Sequence, residues 1–519
     1  MLWAVVLLLA LATLIGGGTH PGFLGDVIIQ FAAIPILLTV LLRFHNKANR
    51  PEIRVFDRVL VAFFGVLAAL IIVQLIPLPN LSFFETQITS LAKRGKTLVD
   101  VAPGWAPLNA TPTQTWAVAL ALLPPLAVFF GVTQLGPKDR SRLVSVILII
   151  GTAGLILGFM QVLQGPKSPL RFFEFTNPFD AVGTFANRNH FASQLAVVLA
   201  FAAAWVAWTA RSLLQGGTRR SESHRGFELL IAILLFMAMF LGLALTRSRA
   251  GLGLAVLAVL GALIPAFIVS IRRDPQQARQ QSVFRTVLVP VLAGAFILAF
   301  LLGMQRISTR FGTDPTQDLR WTLTSATLEQ IMPNLPFGTG LGSFVPIYAA
   351  TEKITDIRTS AFVNRAHNDA LEFVLETGIF GIVLMVLFVT WFAWRSYNAW
   401  SRPLESFSVA AARAASLGIV ALLLHSLVDY PLRTTALATH LACLLGLLIL
   451  PRDPRAWQQD KPERMERLKR RRKPTQNESD PMPALNESWP EHSKSRKAQS
   501  DTTPLAGASW PEEWKTPKK

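Results

Sequence analysis

Apolar runs of about twenty residues recur along most of this chain, separated by short polar segments. Each run is long enough to cross a bilayer as a helix, because roughly twenty residues rising ~1.5 Å apiece cover a ~30 Å hydrocarbon core. The runs stand near 2–17, 27–44, 58–77, 114–134, 143–164, 189–210, 227–245, 250–270, 286–304, 371–394, 411–428 and 434–450. They predict an all-α fold, a polytopic membrane helix bundle of about 12 transmembrane helices. The first run has no Lys or Arg before its apolar core and no clear small-x-small cleavage site, so it reads as a span rather than a leader.

The polar segments give the direction of the bundle. With the N-terminus inside, the inner loops are 45–57, 135–142, 211–226, 271–285 and 395–410, and every one is basic. The stretch after Arg452 is inside as well and carries ERLKRRRK at 466–473. That tail, 452–519, is polar and rich in Pro, Ser and charge, which predicts a disordered basic cytoplasmic segment. Its basic run reads as a juxtamembrane signal touching anionic membrane lipids, with no nucleic acid partner expected. Four regions follow: N-terminal helices over 1–180, a central region over 181–394 with a large outer loop at 305–370 before the tenth span, C-terminal helices over 395–451, and the tail.

Composition agrees with this pattern. Of 519 residues, 51% are hydrophobic and 16% charged, against about a quarter charged in soluble domains. The net charge of +18 therefore reflects inner loops and tail rather than a nucleic-acid surface. One cysteine, Cys443, excludes an intramolecular disulfide and a cysteine-built metal site.

The outer segments hold the candidate chemistry. Arg188, His190, Arg247, Arg249, Arg306, Arg310, Arg320, His367, Asn368, Glu372, Glu376, His425, Asp429 and Arg433 all fall on the outer side of the predicted topology. Arginine in short outer loops runs against the usual bias, and a residue that breaks a rule is a functional candidate. Guanidinium forks at a bilayer surface suit the oxygens of a lipid-borne phosphate ester. TRSRAG at 246–251 reads equally as a tight hairpin with arginines snorkelling to headgroups. RWTLTSATLEQIM at 320–332 reads as an amphipathic helix on the outer surface, and PFGTGLGSF at 336–344 as a flexible turn shaping a cleft. His425, Asp429 and Arg433 read as a structural clamp, with His425 and Asp429 four apart on one helix face.

His367 stands at the mouth of the tenth run, in RAHNDALEFVLETGIFG at 365–381. A helix N-terminus there disfavours imidazolium and keeps the ring neutral, as a general base requires. Glu372 follows at a spacing that allows it to orient the imidazole, and Glu376 lies deeper and needs a cationic partner.

Four stretches together resemble the O-antigen ligase and polymerase superfamily of bacterial membrane glycosyltransferases. They are GTFANRNHFASQLA (183–196), LTRSRAGLGLAVL (245–257), RWTLTSATLEQIMPNLPFGTGLGSF (320–344) and AHNDALEFVLETGIFG (366–381). The resemblance implies metal-independent transfer, without a cofactor, on the periplasmic side of the cell inner membrane. The donor it implies is a glycan on undecaprenyl pyrophosphate, and the acceptor a sugar hydroxyl on lipid A–core. The polymerase alternative takes a second lipid-linked glycan as acceptor, as in O-antigen or exopolysaccharide synthesis. Protein O-oligosaccharyl transfer and non-enzymatic transport are more distant alternatives. By motif, His367 resembles the family's essential histidine, and Arg247, Arg249 and Arg320 resemble the arginines that hold the donor pyrophosphate. Which of Arg247 and Arg249 is essential stays open, because TRSRAG departs from the commoner SRG-type string.

Overall fold

A computed structural model of the chain describes residues 1–20, 22–45, 55–78, 106–107, 109–214, 219–254, 256–257, 261, 294, 297, 319–354 and 363–450. Apart from one two-residue antiparallel pair, Pro77–Leu78 with Ala106–Pro107, the regular structure among these residues is helical. The helices are α1 (Leu2–Ile15), α2 (Leu24–His45), α3 (Val55–Leu75), α4 (Pro112–Ala121), α5 (Leu123–Thr133), α6 (Pro137–Gln164), α7 (Arg188–Leu214) and α8 (Arg219–Leu245). After the next stretch come α9 (Leu319–Ile331), α10 (Phe344–Thr351), α11 (Asp369–Thr377), α12 (Ile379–Ser401), α13 (Phe407–His425) and α14 (Thr435–Leu448).

Among the described residues, eight helices are long and apolar enough to cross a membrane, and α1 and α14 are shorter apolar helices. These ten match ten of the expected runs in position. Most of the run at 250–270 and nearly all of 286–304 lie outside the described residues, as do Arg306, Arg310 and the tail over 452–519. The tenth run differs from expectation. It is not one helix from 371 but two, α11 and α12, separated at Gly378, whose φ of 62° lies in the left-handed region. A glycine is required there by space as well as by φ, since a Cβ would lie 2.0 Å from the Pro336 carbonyl oxygen. The polar half of the run, α11, thus leaves the axis of the apolar half.

Helix α7 is the centre of the bundle and packs against α8 and α13. Apolar side chains gain little from each other's company in lipid, so close van der Waals packing must hold such helices together. The sequence provides for it: Ala410, Ala411, Ala412, Ala414 and Ala415 of α13 are all buried. Helix α6 approaches α7 through Gly151, where a Cβ would meet Val198. A separate small core of Leu323, Phe344, Ile347, Tyr348, Ala366 and Leu375 joins α9, α10 and α11. It lies beside the ends where α8 and α13 finish and α7 and α14 begin.

Far from that end, Arg140 staples helix termini. Its guanidinium donates to the carbonyls of Leu135 (3.0 Å), Val132 (3.3 Å), Gly446 (3.2 Å), Leu447 (3.4 Å) and Ile449 (2.7 Å). These are the orphan carbonyls that every helix C-terminus leaves. Arg140→Leu is expected to remove about 2–4 kcal/mol of stability, because buried carbonyls lose their donor. Thermal unfolding in detergent checks this, and an unchanged midpoint contradicts it.

Candidate active site

Asp429 is fully buried, in the turn between α13 and α14. Around its two carboxylate oxygens gather side chains from three separate segments and one neighbouring backbone N–H. Oδ1 lies 3.2 Å from His367 Nδ1 and 3.9 Å from His190 Nε2, and it accepts the Tyr430 backbone N–H at 2.9 Å. Oδ2 accepts from Asn189 Nδ2 at 2.6 Å and lies 3.6 Å from Arg320 Nη2. Burial alone raises the pKa of this carboxyl. The hydrogen bond from His367, with the positive charge of Arg320 nearby, outweighs burial and holds Asp429 well below the usual range. An ionised carboxylate only accepts, so His367 presents Nδ1–H to it, and Nε2 is the ring nitrogen left to face a substrate. His367 is partly open, with 26% of its side chain exposed.

The ring of Tyr430 is wedged edge-to-face between His190 (4.9 Å) and His367 (4.8 Å). Burial and the neighbouring Asp429 push the tyrosine hydroxyl up to about 12, so it stays neutral and acts as a fixed spacer. His190, expected at the start of its span, lies buried in the first turn of α7. His425 does not pair with Asp429 by side chain; its Nδ1 bonds Ser193 Oγ at 2.6 Å, and the helical link runs through the backbone, Asp429 N to His425 O.

A second carboxylate collects the outer arginines. Asp180 holds Arg188 Nη1 at 2.5 Å and Arg247 Nη1 at 3.3 Å. Arg188 and Asn189 are adjacent, so the first turn of α7 joins this centre to Asp429. Arg249 is exposed, where a further helix begins after the TRSRAG turn. The turn is anchored by Ala181 N donating to Leu245 O at 3.2 Å. Among the described residues, Arg247 (φ 54°) and His367 (φ 52°) are the non-glycine residues with positive φ. Each carries ~1–3 kcal/mol of backbone strain, and such strain persists only where the surroundings over-determine it. That both fall on motif residues marks this face as the candidate site.

The acidic stripe of α11 has a different part from the one expected. Glu372 does not orient His367: its Oε1 lies 3.0 Å from Arg365 and 3.5 Å from Arg433, and Oε2 accepts the Ala366 N–H at 2.9 Å. The reason is helical geometry. His367 lies outside α11, before its Asn368 cap and with a positive φ, so helical spacing does not bring its ring to Glu372. Arg433 does not reach Asp429 either; it is clasped by Asp369 (3.5 Å), Glu372 (3.5 Å) and Glu376 (3.0 Å). The expected clamp of His425, Asp429 and Arg433 is therefore divided between two networks. Asn368 caps α11 by accepting from Leu371 N at 3.1 Å, and its amide holds Leu427 O at 3.0 Å.

PFGTGLGSF is not a loose turn. Thr339 N donates to Leu375 O and Gly340 N to Glu376 O, both at 2.9 Å, while Gly342 N donates to Glu376 Oε1 at 2.9 Å. Gly338 (φ 77°) admits this approach, since a Cβ there would lie 2.6 Å from the Glu376 backbone. The strap satisfies the carbonyls at the end of α11 and fixes Glu376 against Arg433.

Among the described residues no group of three or more His, Cys, Asp or Glu side chains has metal-holding geometry. Residues 232–386 match the family model described as O-antigen ligase. Over those residues the chain is similar to the O-antigen ligase family, in agreement with the resemblance carried by its sequence stretches. No curated protein matches it. The matched ligase segment contains Arg247, Arg249, Arg320, His367, Glu372 and Glu376, whereas Asp180, Arg188, His190 and Asp429 are brought to it by the fold.

Sequence reasoning overlooked Asp180, Asn189, Arg365, Asp369 and Tyr430. Signals existed: Arg365 and Asp369 flank His367 in the same stretch, and Tyr430 is one of 3 tyrosines in the chain.

Asp369 titrates where stability is measurable. Burial first, against the pull of Arg433, raises it from 3.8 to about 7. The folded protein then binds a proton that the unfolded chain releases, so this contribution is complete below pH 3.8 and is lost as pH rises towards about 7. Asp369→Asn is expected to flatten the fall in thermal midpoint across that window. Arg433→Gln, which strands three carboxylates, is expected to cost about 3–5 kcal/mol. A midpoint indifferent to both changes contradicts the charge-clasp account.

Proposed function

We propose that this membrane glycosyltransferase moves a glycan from undecaprenyl pyrophosphate to an acceptor sugar hydroxyl, as an O-antigen ligase does, on the periplasmic face of the inner membrane. The observation that carries the reading is the His367–Asp429 pair, with Arg320 on the same carboxylate and the Asp180 arginine pair joined to it through Arg188 and Asn189. His367 Nε2 takes the proton of the acceptor hydroxyl. The acceptor oxygen forms its bond to the anomeric carbon as the bond from that carbon to the pyrophosphate oxygen breaks. The electron pair leaves on undecaprenyl pyrophosphate, whose charge is met by Arg247 and Arg320, with Arg249 and Arg188 nearby.

The physical demands of this step suit the residues. Pyrophosphate is already a good leaving group, so orientation and charge stabilisation are the main contributions asked of the protein. Asp429 is the positioning residue: it fixes the tautomer and steadies the imidazolium that forms, without taking the proton itself. His367 stands in the left-handed region with its ring packed edge-to-face on Tyr430 at 4.8 Å.

Transfer is assayed in proteoliposomes with a lipid-linked glycan donor and lipid A–core acceptor. His367→Asn, which tolerates the same φ, is expected to lower kcat by about 100-fold or more. Arg247→Lys and Arg320→Lys are expected to rescue poorly, because an ammonium lacks the two-pronged geometry. Wild-type turnover in either lysine variant removes that arginine from donor recognition, and full activity in His367→Asn removes the base. Polymer growth on the lipid carrier instead of on lipid A–core assigns the polymerase reaction.

A further inference from the structure

The loop from α6 to α7 contains RFFEFTNPFD at 171–180, and its phenylalanines are turned outward. Phe172 is 55% exposed, Phe175 86% and Phe179 67%. A loose loop could hide such rings by collapsing onto the protein, but this loop is pinned. Arg171 donates to the carbonyls of Asn177 (3.0 Å), Asp180 (2.9 Å) and Gln161 (3.3 Å). Gln161 in turn holds Leu170 O and Gly183 O at 2.9 and 2.7 Å, and Phe173 is packed edge-on against Phe23 at 5.7 Å. Three large apolar rings are held out by a rigid scaffold.

The same loop builds the arginine pair. Asp180 carries Arg188 and Arg247, and Asn177 Oδ1 accepts the Arg188 backbone N–H at 2.9 Å. Two guanidiniums share one carboxylate, with Arg171 beside them. The result is a net-positive patch joined to an apolar rim, where two spans end at the membrane boundary. Bulk phospholipid needs no such fixed coupling between a cation pair and aromatic rings. An amphiphile whose charged headgroup must be placed while its hydrocarbon chain is gripped does need it.

We propose that Phe172, Phe175 and Phe179 form a docking rim for the isoprenoid chain of the polyprenyl pyrophosphate carrier, whose pyrophosphate meets Arg247 beside Arg188. This inference rests on the donor reading given under the proposed function. The rim sets the height of the pyrophosphate above the bilayer, and hence its alignment with His367.

The test uses the full chain in nanodiscs of phosphatidylethanolamine and phosphatidylglycerol, with unglycosylated undecaprenyl pyrophosphate as probe. A photoreactive benzoylphenylalanine in place of Phe175 is expected to cross-link the carrier, with protection by unlabelled carrier and none by added phosphatidylglycerol. Phe175→Ser combined with Phe179→Ser is expected to raise the Kd for the carrier about tenfold while shifting that for inorganic pyrophosphate less than about twofold. Arg247→Gln is expected to weaken both ligands. Cross-linking to phospholipid alone, or an unmoved carrier Kd in the double variant while Arg247→Gln still weakens binding, overturns the rim and spares the donor site. A wild-type protein that binds no carrier overturns both.

Discussion

A buried carboxylate is costly unless its lone pairs are occupied, and that constraint organises this face of the molecule. Asp429 sits at zero exposure, so the chain must bring it donors. It does so from α7, from α9, from the turn before α11 and from its own backbone. None of these segments is adjacent in sequence. The need to satisfy one carboxylate brings an imidazole and a guanidinium together on it, and the dry surroundings strengthen each of those interactions.

The strain at His367 and Arg247 becomes intelligible beside two supporting networks. The α11 carboxylates hold Arg433 and Arg365, while the glycine strap fixes the far end of the same helix. With α11 locked at both ends and Asn368 capping its start, the residue before the cap has little choice of backbone. Arg247 is fixed in a comparable way, between the end of α8 and the Asp180 loop. Rigid scaffolding of polar groups is what a transfer reaction without a mobile catalytic device requires. The two networks also differ in exposure: the Arg433 cluster is largely buried, whereas His367, Arg247 and Arg320 each keep a quarter or more of their side chains open.

Much of this was legible before any coordinates. Span positions follow from apolar run length, because lipid tolerates little else. The candidate arginines and His367 were visible because each breaks a local rule, a cation on the outer side or an ionisable group at a helix mouth. What escaped was pairing. Periodicity places Glu372 near His367 and Asp429 near Arg433, but it does not register the break at Gly378 or the pairing of Glu372 with Arg365 and Arg433. Nor does it see contacts across 240 residues, such as Asn189 with Asp429. The glycine strap looked mobile because its composition is that of a loop, yet its bare backbone is what allows it to bond α11 so closely.

The account turns on the protonation of one ring. Solid-state nitrogen NMR of the histidine-labelled protein in lipid at neutral pH, with His367→Asn used to assign the resonance, reads it directly. The proposed base requires a proton on Nδ1, facing Asp429, and a lone pair on Nε2. A proton on Nε2 with Nδ1 bare, or a full imidazolium at neutral pH, contradicts a base held ready by that carboxylate.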